Sequence, residues 1–529
     1  MTDTFGTSQP VRRREDVRLL TGRGRYIDDL DEGAHLHAAF LRATVAHGRI
    51  ASIDASAALD APGVVAVFTG DDLKQAGLGG IHARPPLPGT EMDPPIMTPR
   101  PGLAYGVVRH VGEPVAVVIA RTRKQAEDAA ELVFADIEEL PAAVEIADAT
   151  ADGAPAVWPD LAPDNIALRW HKGDREACDA AFARAAHVTR LRLRNNRLAG
   201  NPMEPRSSLA EYDAEADRYT LTCASQGVHY MQEVLCEHVF DLPREKIRIR
   251  TFDVGGGFGI KEQPYPEDVA ILYAARELGR PVKWQGTRSE HFLCDNHARD
   301  AEVEAELALA EDGEFLAIRV SADDAMGAYI ACHGPFPSIR NMPNGLPLVY
   351  RTPVIDISVR LVMTNTASIG PYRGAGREQA SVVMERLVDT AAREMGIDPI
   401  ELRRRNFIQP EQMPYTSPSG RTYDVGEFEA VLDKALALAD HDGYAARRAD
   451  SEGRGKLRGL GIACTIEGVG AMPYEGAIVR FAEDGRIELT VASQSQGQGH
   501  ETAFAKLISE RLGMRFDDVE LRQGDSDDV

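Results

Sequence analysis

The chain has 529 residues, 59 basic and 82 acidic side chains, a formal net charge of −23 and 43% hydrophobic content. Such a length implies several domains with large apolar cores, and such acidity removes any general attraction for nucleic acid or anionic membrane. No apolar run approaches the roughly 20 residues of a membrane span, and Arg12, Arg13 and Arg14 are followed by Glu15 and Asp16, not by an apolar signal core, so a cytoplasmic location without membrane insertion is expected.

In chain order, the first landmark is Arg84 to Pro101, where Pro85, Pro86, Pro88, Pro94, Pro95, Pro99 and Pro101 predict a long loop inside a first domain. Ala147 to Asp164, rich in Ala, Asp and Pro, reads as a link to the next part. Tyr219 to Cys223 is strand-like and runs into Ala224-Ser225-Gln226-Gly227. Ile247, Ile249 and Thr251 alternate with Arg248, Arg250 and Phe252, a strand with one polar face. The stretch DVGGGFGIKE (Asp253 to Glu262) follows, with Gly255, Gly256, Gly257 and Gly259 around Phe258. Pro266 to Leu278 then predicts an apolar helix stopped by Gly279 and Pro281. Between 370 and 378, Arg373 and Arg377 stand among Gly370, Gly374 and Gly376. Gln409 to Gly426 marks a second break. Ile487 to Ser493 alternates like a strand, Gln496-Gly497-Gln498-Gly499-His500 follows, and a helix with Phe504, Leu507, Ile508 and Leu512 on one face ends at Gly513.

A strand entering a glycine turn brings backbone N–H groups close to a ligand, because no Cβ intervenes. A phosphate loop needs Gly-Lys-Ser/Thr, whereas Lys261 lies between Ile260 and Glu262; a dinucleotide fingerprint fails in both registers, ending on Ile260 or Glu262. On its own this cluster reads as a tight structural turn. The two glutamines of the later loop can each donate and accept, as the edge of a heterocycle requires, and arginine is the bidentate partner of phosphate or carboxylate. The six cysteines (Cys178, Cys223, Cys236, Cys294, Cys332, Cys464) form no C-x-x-C cluster and read as buried small hydrophobes, with no iron–sulfur or zinc site expected in this chain. H-E-x-x-H and G-x-S-x-G are both absent.

Taken together, GGGFGIKE, PYRGAGRE and QGQGHET resemble the molybdenum-binding large subunit of the xanthine oxidase family, in particular the branch with aerobic carbon monoxide dehydrogenase-like large subunits and bacterial aldehyde-type hydroxylases. The likeness runs nearly end to end. Arg13 to Leu30 resembles the family's entry segment; Phe40 to Leu73 and Gly112 to Leu140 resemble its hammerhead domain; Pro202 to Arg206 and Tyr265-Pro266-Glu267 are further family phrases. The resemblance implies an α+β fold: a hammerhead-like domain over residues 1–150, a mixed α/β molybdopterin-binding domain over 165–410, and the start of a second over 427–529, the last one incomplete. It implies a molybdenum–molybdopterin cytosine dinucleotide cofactor, its metal held through the pterin dithiolene with no protein ligand. Iron–sulfur clusters and FAD are then expected only on partner subunits, small and medium respectively.

Residue by residue, Gln226 matches a glutamine whose amide approaches an oxo group of the metal, and Gly256, Gly257, Phe258 and Gly259 match the loop beside it. Arg373 matches an arginine near the cofactor, and Gln496, Gly497, Gln498, Gly499 and His500 match the pterin-holding loop. Glu262 falls where purine-oxidising relatives place a substrate-orienting glutamate. Each has a bland alternative: a strand-end turn for Gln226, a carboxylate bridge for Arg373, a helix cap for His500, an ion pair with Lys261 or a neighbour for Glu262. Asp525, Asp527 and Asp528 read as family phrase or as a solvated tail. Two departures matter. Copper-containing carbon monoxide dehydrogenases place a cysteine after Tyr-Arg, where this chain has Gly374; a copper–sulfur bridge needs that soft thiolate, so an aldehyde or N-heterocycle is the expected substrate. The family's general-base glutamate lies on a later Gly-Glu-rich segment that nothing after Ser493 matches, so the expectation is a split enzyme whose missing part is a separate chain, or a truncated product. The alternative function is a non-catalytic cofactor-binding or assembly remnant.

Overall fold

The computed structural model describes residues 10–30, 35–84, 91–468 and 475–528; Pro85, Pro86 and Pro88 of the proline-rich stretch, and Val529, lie outside them. Two large sheets organise the chain. The first has seven strands in the order Ile247–Arg250, Arg218–Cys223, Ser207–Asp213, Val282–Gln285, Leu36–Arg42, Pro114–Ala120, Val64–Thr69. Its last three strands come from the N-terminal part and its first four from the middle of the chain. The seam is parallel, with Leu36 opposite Val282 and Ala38 opposite Trp284. Pro114–Ala120 (PVAVVIA) is buried along its whole length, as a β-branched run covered on both faces should be.

The second sheet has six strands in the order Glu91–Met92, Ile166–Gly173, Ile355–Met363, Phe315–Gly327, Ala301–Leu309, His187–Asn195. Alternation decides its faces. Glu302 and Glu304 are exposed between buried Ala301, Val303 and Ala305, and the apolar face packs with the helix Arg377–Met395 in the largest core, through Val383, Leu387 and Ala391. Glu91–Met92 sits inside the predicted proline-rich loop, so that stretch is not only a loop of the first part: it adds an edge to the second sheet against Trp170 and His171.

Smaller units complete the fold. Gly48–Asp54 pairs with Val107–Val108 and Phe134–Glu139, and Ala477–Phe481, Ile487–Val491 and Val519–Arg522 form a three-stranded sheet with the helix His500–Leu512 packed on it. The predicted helix Pro266–Leu278 forms over that span: Asp268 Oδ2 accepts from the Tyr265 N–H, Pro266 is its first residue, and Gly279 closes it at φ +58°. Gly513 ends the later helix in the same left-handed conformation. Among the described residues no helix is long and apolar enough to cross a membrane.

The final acidic residues are not a solvated tail. Asp525 accepts from Arg248 Nε at 2.9 Å, Asp527 from Arg218 at 2.6 Å, and Thr251 N–H donates to Gly524 O at 2.7 Å. The segment is thereby tied to the edge of the seven-stranded sheet. Five cysteines are buried as expected, whereas Cys464 is only half-buried.

Candidate functional site

Three loops meet at the carboxyl ends of the strands Arg218–Cys223 and Ile247–Arg250. Gln226, just past the first strand, is the hub. Its Oε1 accepts from the N–H groups of Gly259 (2.7 Å) and Lys261 (3.1 Å), and its own N–H donates to Lys261 O (2.9 Å). Both lone pairs of that oxygen are engaged, which leaves Nε2 as the free donor end of the side chain. Gly257 lies so close that a Cβ there would stand 2.5 Å from Gln226 Cδ, and a Cβ on Gly259 would stand 2.4 Å from Pro371 O. These two glycines are needed for close approach, and Gly259 also for its φ of +106°.

Phe258 holds φ +60°, a conformation that costs energy for a non-glycine residue, and its ring is 41% exposed. The Phe258 carbonyl accepts from Arg373 N–H at 2.9 Å, which couples the glycine loop to the 370–376 loop. The Arg373 guanidinium is exposed and has no partner among the described residues, so the carboxylate-bridge alternative fails for it. Its neighbour Arg377 does make such a pair, with Glu467 at 3.0 Å. The N–H groups of Gly256, Gly257 and Phe258 are likewise unused among the described residues.

Beneath the loop, Lys261 is buried and bonds to Glu204 O (2.8 Å) and Glu204 Oε2 (3.1 Å); the same Oε2 accepts from Gly255 N–H at 2.8 Å. Burial pulls the Lys261 ammonium below its usual range, with Glu204 opposing. Glu262 therefore does not pair with Lys261. Its Oε1 meets His333 Nδ1 at 3.0 Å.

The second loop stands apart from this cluster. Gln498 Nε2 donates to Gln496 Oε1 at 3.1 Å, so the two glutamines close on one another, and Gln496 Nε2 returns to Gln494 O. Gly497 and Gly499 have φ +117° and +81°, and a Cβ on Gly497 would meet only open space. His500 Nδ1 is 3.4 Å from Gln523 Oε1, and its ring lies 4.7 Å from Phe504. The link to the first cluster runs through Gln494, whose Nε2 donates to Phe252 O at 3.0 Å. It also runs through Arg18, which binds both Asp253, the first residue of the glycine stretch, and Glu501, just after the second loop. Arg18, Glu204 and His333 are the residues that motif reading missed. Glu204 lies inside the family phrase at 202–206, but nothing local marks the other two.

Comparison with known proteins places this geometry. Residues 158–407 and 434–529 match the molybdopterin cofactor-binding domain, and residues 21–141 match the a/b hammerhead domain of aldehyde oxidase and xanthine dehydrogenase. The nicotine 6-hydroxylase large subunit of Paenarthrobacter nicotinovorans is 34% identical over 98% of this chain and 64% of its own length. The carbon monoxide dehydrogenase large chain of Afipia carboxidovorans is 35% identical over 98% and 66%. The crystal structure of quinoline 2-oxidoreductase from Pseudomonas putida 86 superposes with a TM-score of 0.90 at 34% identity, covering 99% of this chain and 68% of that one. The chain belongs to the xanthine oxidase family, as a molybdopterin-cofactor-binding large subunit of its hydroxylase and carbon monoxide dehydrogenase group. It spans about two thirds of the length of these relatives.

The residues fit a flat, anionic cofactor. Free N–H groups of Gly256, Gly257 and Phe258, the Gln226 amide and the unpaired Arg373 supply donors, and open space at Gly497, before the N-terminus of the helix His500–Leu512, supplies an approach for negative charge.

Proposed function

We propose that this chain is the molybdenum-cofactor-binding part of a cytoplasmic hydroxylase that oxidises an aldehyde or N-heterocycle with oxygen from water. The observation that carries this reading is the junction at Gln226: one side chain ties the glycine loop down and leaves an amide donor beside the unpaired Arg373. The cofactor is taken to be the cytosine dinucleotide form, with electrons passing to iron–sulfur and FAD-binding partner subunits. The three-part division at 1–150, 165–410 and 427–529 belongs to the same reading.

When bound, the molybdenum centre supplies the oxygen transfer and accepts the electron pair. The chain's own residues bind and orient. Gln226 Nε2 and Arg373 donate to anionic oxygens, Gly256 and Gly257 allow the backbone to come close, and Phe258 offers an apolar edge that excludes water. Gln496, Gly497, Gln498, Gly499 and His500 hold the pterin and its dinucleotide tail. Gly374 offers no thiolate for copper, and a Cβ there would stand 2.2 Å from Glu378 Oε2 at φ +96°; carbon monoxide is therefore not the substrate.

The test is metal and nucleotide analysis of the complex purified from a molybdenum-sufficient host. About one molybdenum per large subunit is expected, with cytidine monophosphate released on acid hydrolysis, and Gln498→Ala should lower both. A complex containing neither would overturn the reading.

A further inference from the structure

Glu262 differs from the other partly or fully buried carboxylates. Glu267 is held by Arg42 and Arg206, and Glu385 by Arg403 and Tyr350, each on both oxygens. Glu262 has a single bond, from His333 Nδ1 to Oε1 at 3.0 Å. Its other oxygen has no partner among the described residues, and the side chain is 27% exposed. It directly follows Lys261, whose N–H binds Gln226 Oε1. The carboxylate thus sits at the edge of the proposed site with one oxygen fixed and one open.

His333 is itself held firmly. Its ring lies 4.4 Å from that of Tyr230 and 5.3 Å from that of Phe336. Arg84 covers the Tyr230 ring at 3.8 Å and is in turn 3.5 Å from Glu233. The peptide on either side is anchored: Cys332 N–H donates to Gln263 Oε1 at 2.9 Å, and Arg84 N–H to Cys332 O at 2.9 Å. An imidazole wedged between two aromatic rings cannot follow a wandering carboxylate, so Glu262 takes its orientation from His333 and not the reverse.

We infer that His333 is a positioning residue that presents Glu262 Oε2 as a fixed hydrogen-bond acceptor, and that the substrate is a heterocycle bearing a ring N–H. The inference rests on the hydroxylase reading above and chooses between its two substrate classes. An ionised carboxylate only accepts. An aldehyde also presents only acceptor lone pairs, so it gains nothing from Oε2 and is repelled by it. A ring N–H satisfies it, and a site built around such a bond rejects analogues that lack the donor far more strongly than an apolar pocket rejects a change of shape.

Two variants separate the hydrogen bond from the packing. His333→Phe keeps the ring between Tyr230 and Phe336 but has no donor; His333→Asn keeps a donor amide and gives up the ring. The molybdenum-loaded complex is titrated calorimetrically with 4-quinolone and with N-methyl-4-quinolone, which lacks only the N–H. KM and kcat are measured for 4-quinolone and benzaldehyde, and the thermal midpoint is recorded for each variant. Expected are binding of 4-quinolone at least roughly tenfold tighter than that of its N-methyl analogue, as for a hydrogen bond to a charged group, loss of that difference in His333→Phe, and its retention in His333→Asn. In His333→Phe the KM for 4-quinolone should rise roughly tenfold with kcat little changed. Equal binding of the two quinolones by the wild type, a His333→Phe variant that still discriminates, or preferred oxidation of benzaldehyde would each overturn the proposal. A wild-type complex that oxidises neither class would count against the hydroxylase reading, while the calorimetric comparison would still decide the role of His333.

Discussion

Lys261 is the charge that the glycine loop keeps away from water. Its ammonium is fully buried and pairs with Glu204, which also caps Gly255. Replacing one partner of such a pair leaves an uncompensated buried charge, typically a loss of about 3–5 kcal/mol. Lys261→Met should therefore lower the thermal midpoint clearly, and adding Glu204→Leu should recover much of the loss; if the single variant melts like the wild type, the pair has no such weight. A second buried group sets the acid limit. His110 is wholly buried, and burial depresses its pKa to about 4, with Arg100 acting the same way and Glu113 opposing. Its unfolded value is 6.5, so between pH 6.5 and 4 the unfolded chain binds the proton and the folded one does not. Stability is complete above the upper value and falls as pH drops through this window, by roughly 3 kcal/mol in all at about 1.4 kcal/mol per pH unit. Melting curves across that range should be flatter for His110→Leu than for the wild type, and parallel slopes would assign acid sensitivity to other groups.

The two glycine-rich motifs are each a strand–loop–helix element, and that much was legible in the sequence. Period-two alternation marked Ile247–Arg250 and Ile487–Val491, and Gly279 and Gly513 marked the helix ends. What holds the elements together was not legible, because the partners are far apart in sequence. His333 lies 71 residues from Glu262, and Arg18 lies 235 residues from Asp253 and 483 from Glu501. Nor could the pattern reveal that Glu91–Met92, within a proline-rich stretch, adds an edge strand, since a two-residue strand has no periodicity to detect. The short helix Glu15–Leu20 is the brace between the motifs. Arg18 clamps both, and Glu15 accepts from Thr502 at the start of the second helix. Partly exposed pairs contribute about 1 kcal/mol or less to stability, so Arg18→Ala should melt close to the wild type. Its molybdenum content should nevertheless fall, because the two loops lose their common anchor. Unchanged occupancy would reduce the helix to packing.

At the scale of the whole molecule, the N-terminal part and the middle of the chain share one sheet across the seam at Leu36–Arg42 and Val282–Gln285, so the loops at Gln226 and Gly257 sit on a frame both parts build. That frame holds one half of the proposed chemistry. Electrons taken from a substrate need a carrier, and an iron–sulfur cluster needs four thiolates at one place. Here the six cysteines are all free. Cys178 is in the core beside Ala308 and Ala317, Cys223 and Cys236 are under the seven-stranded sheet, and Cys294 is beside Arg206. Burial pushes the thiols of Cys178, Cys236 and Cys464 up to about 11 and those of Cys294 and Cys332 up to about 12, so at neutral pH they are protonated and poor ligands. Among the described residues no group of three or more His, Cys, Asp and Glu side chains is placed to hold a metal. The large subunit purified free of partners should therefore contain molybdenum but well under one iron per chain. Substrate added to the full complex should produce the electron paramagnetic resonance signal of reduced clusters, and substrate added to the isolated, molybdenum-loaded chain should not. A stoichiometric cluster on the isolated chain would mean that the cysteines rearrange on loading, and that the electron path does not have to leave this polypeptide.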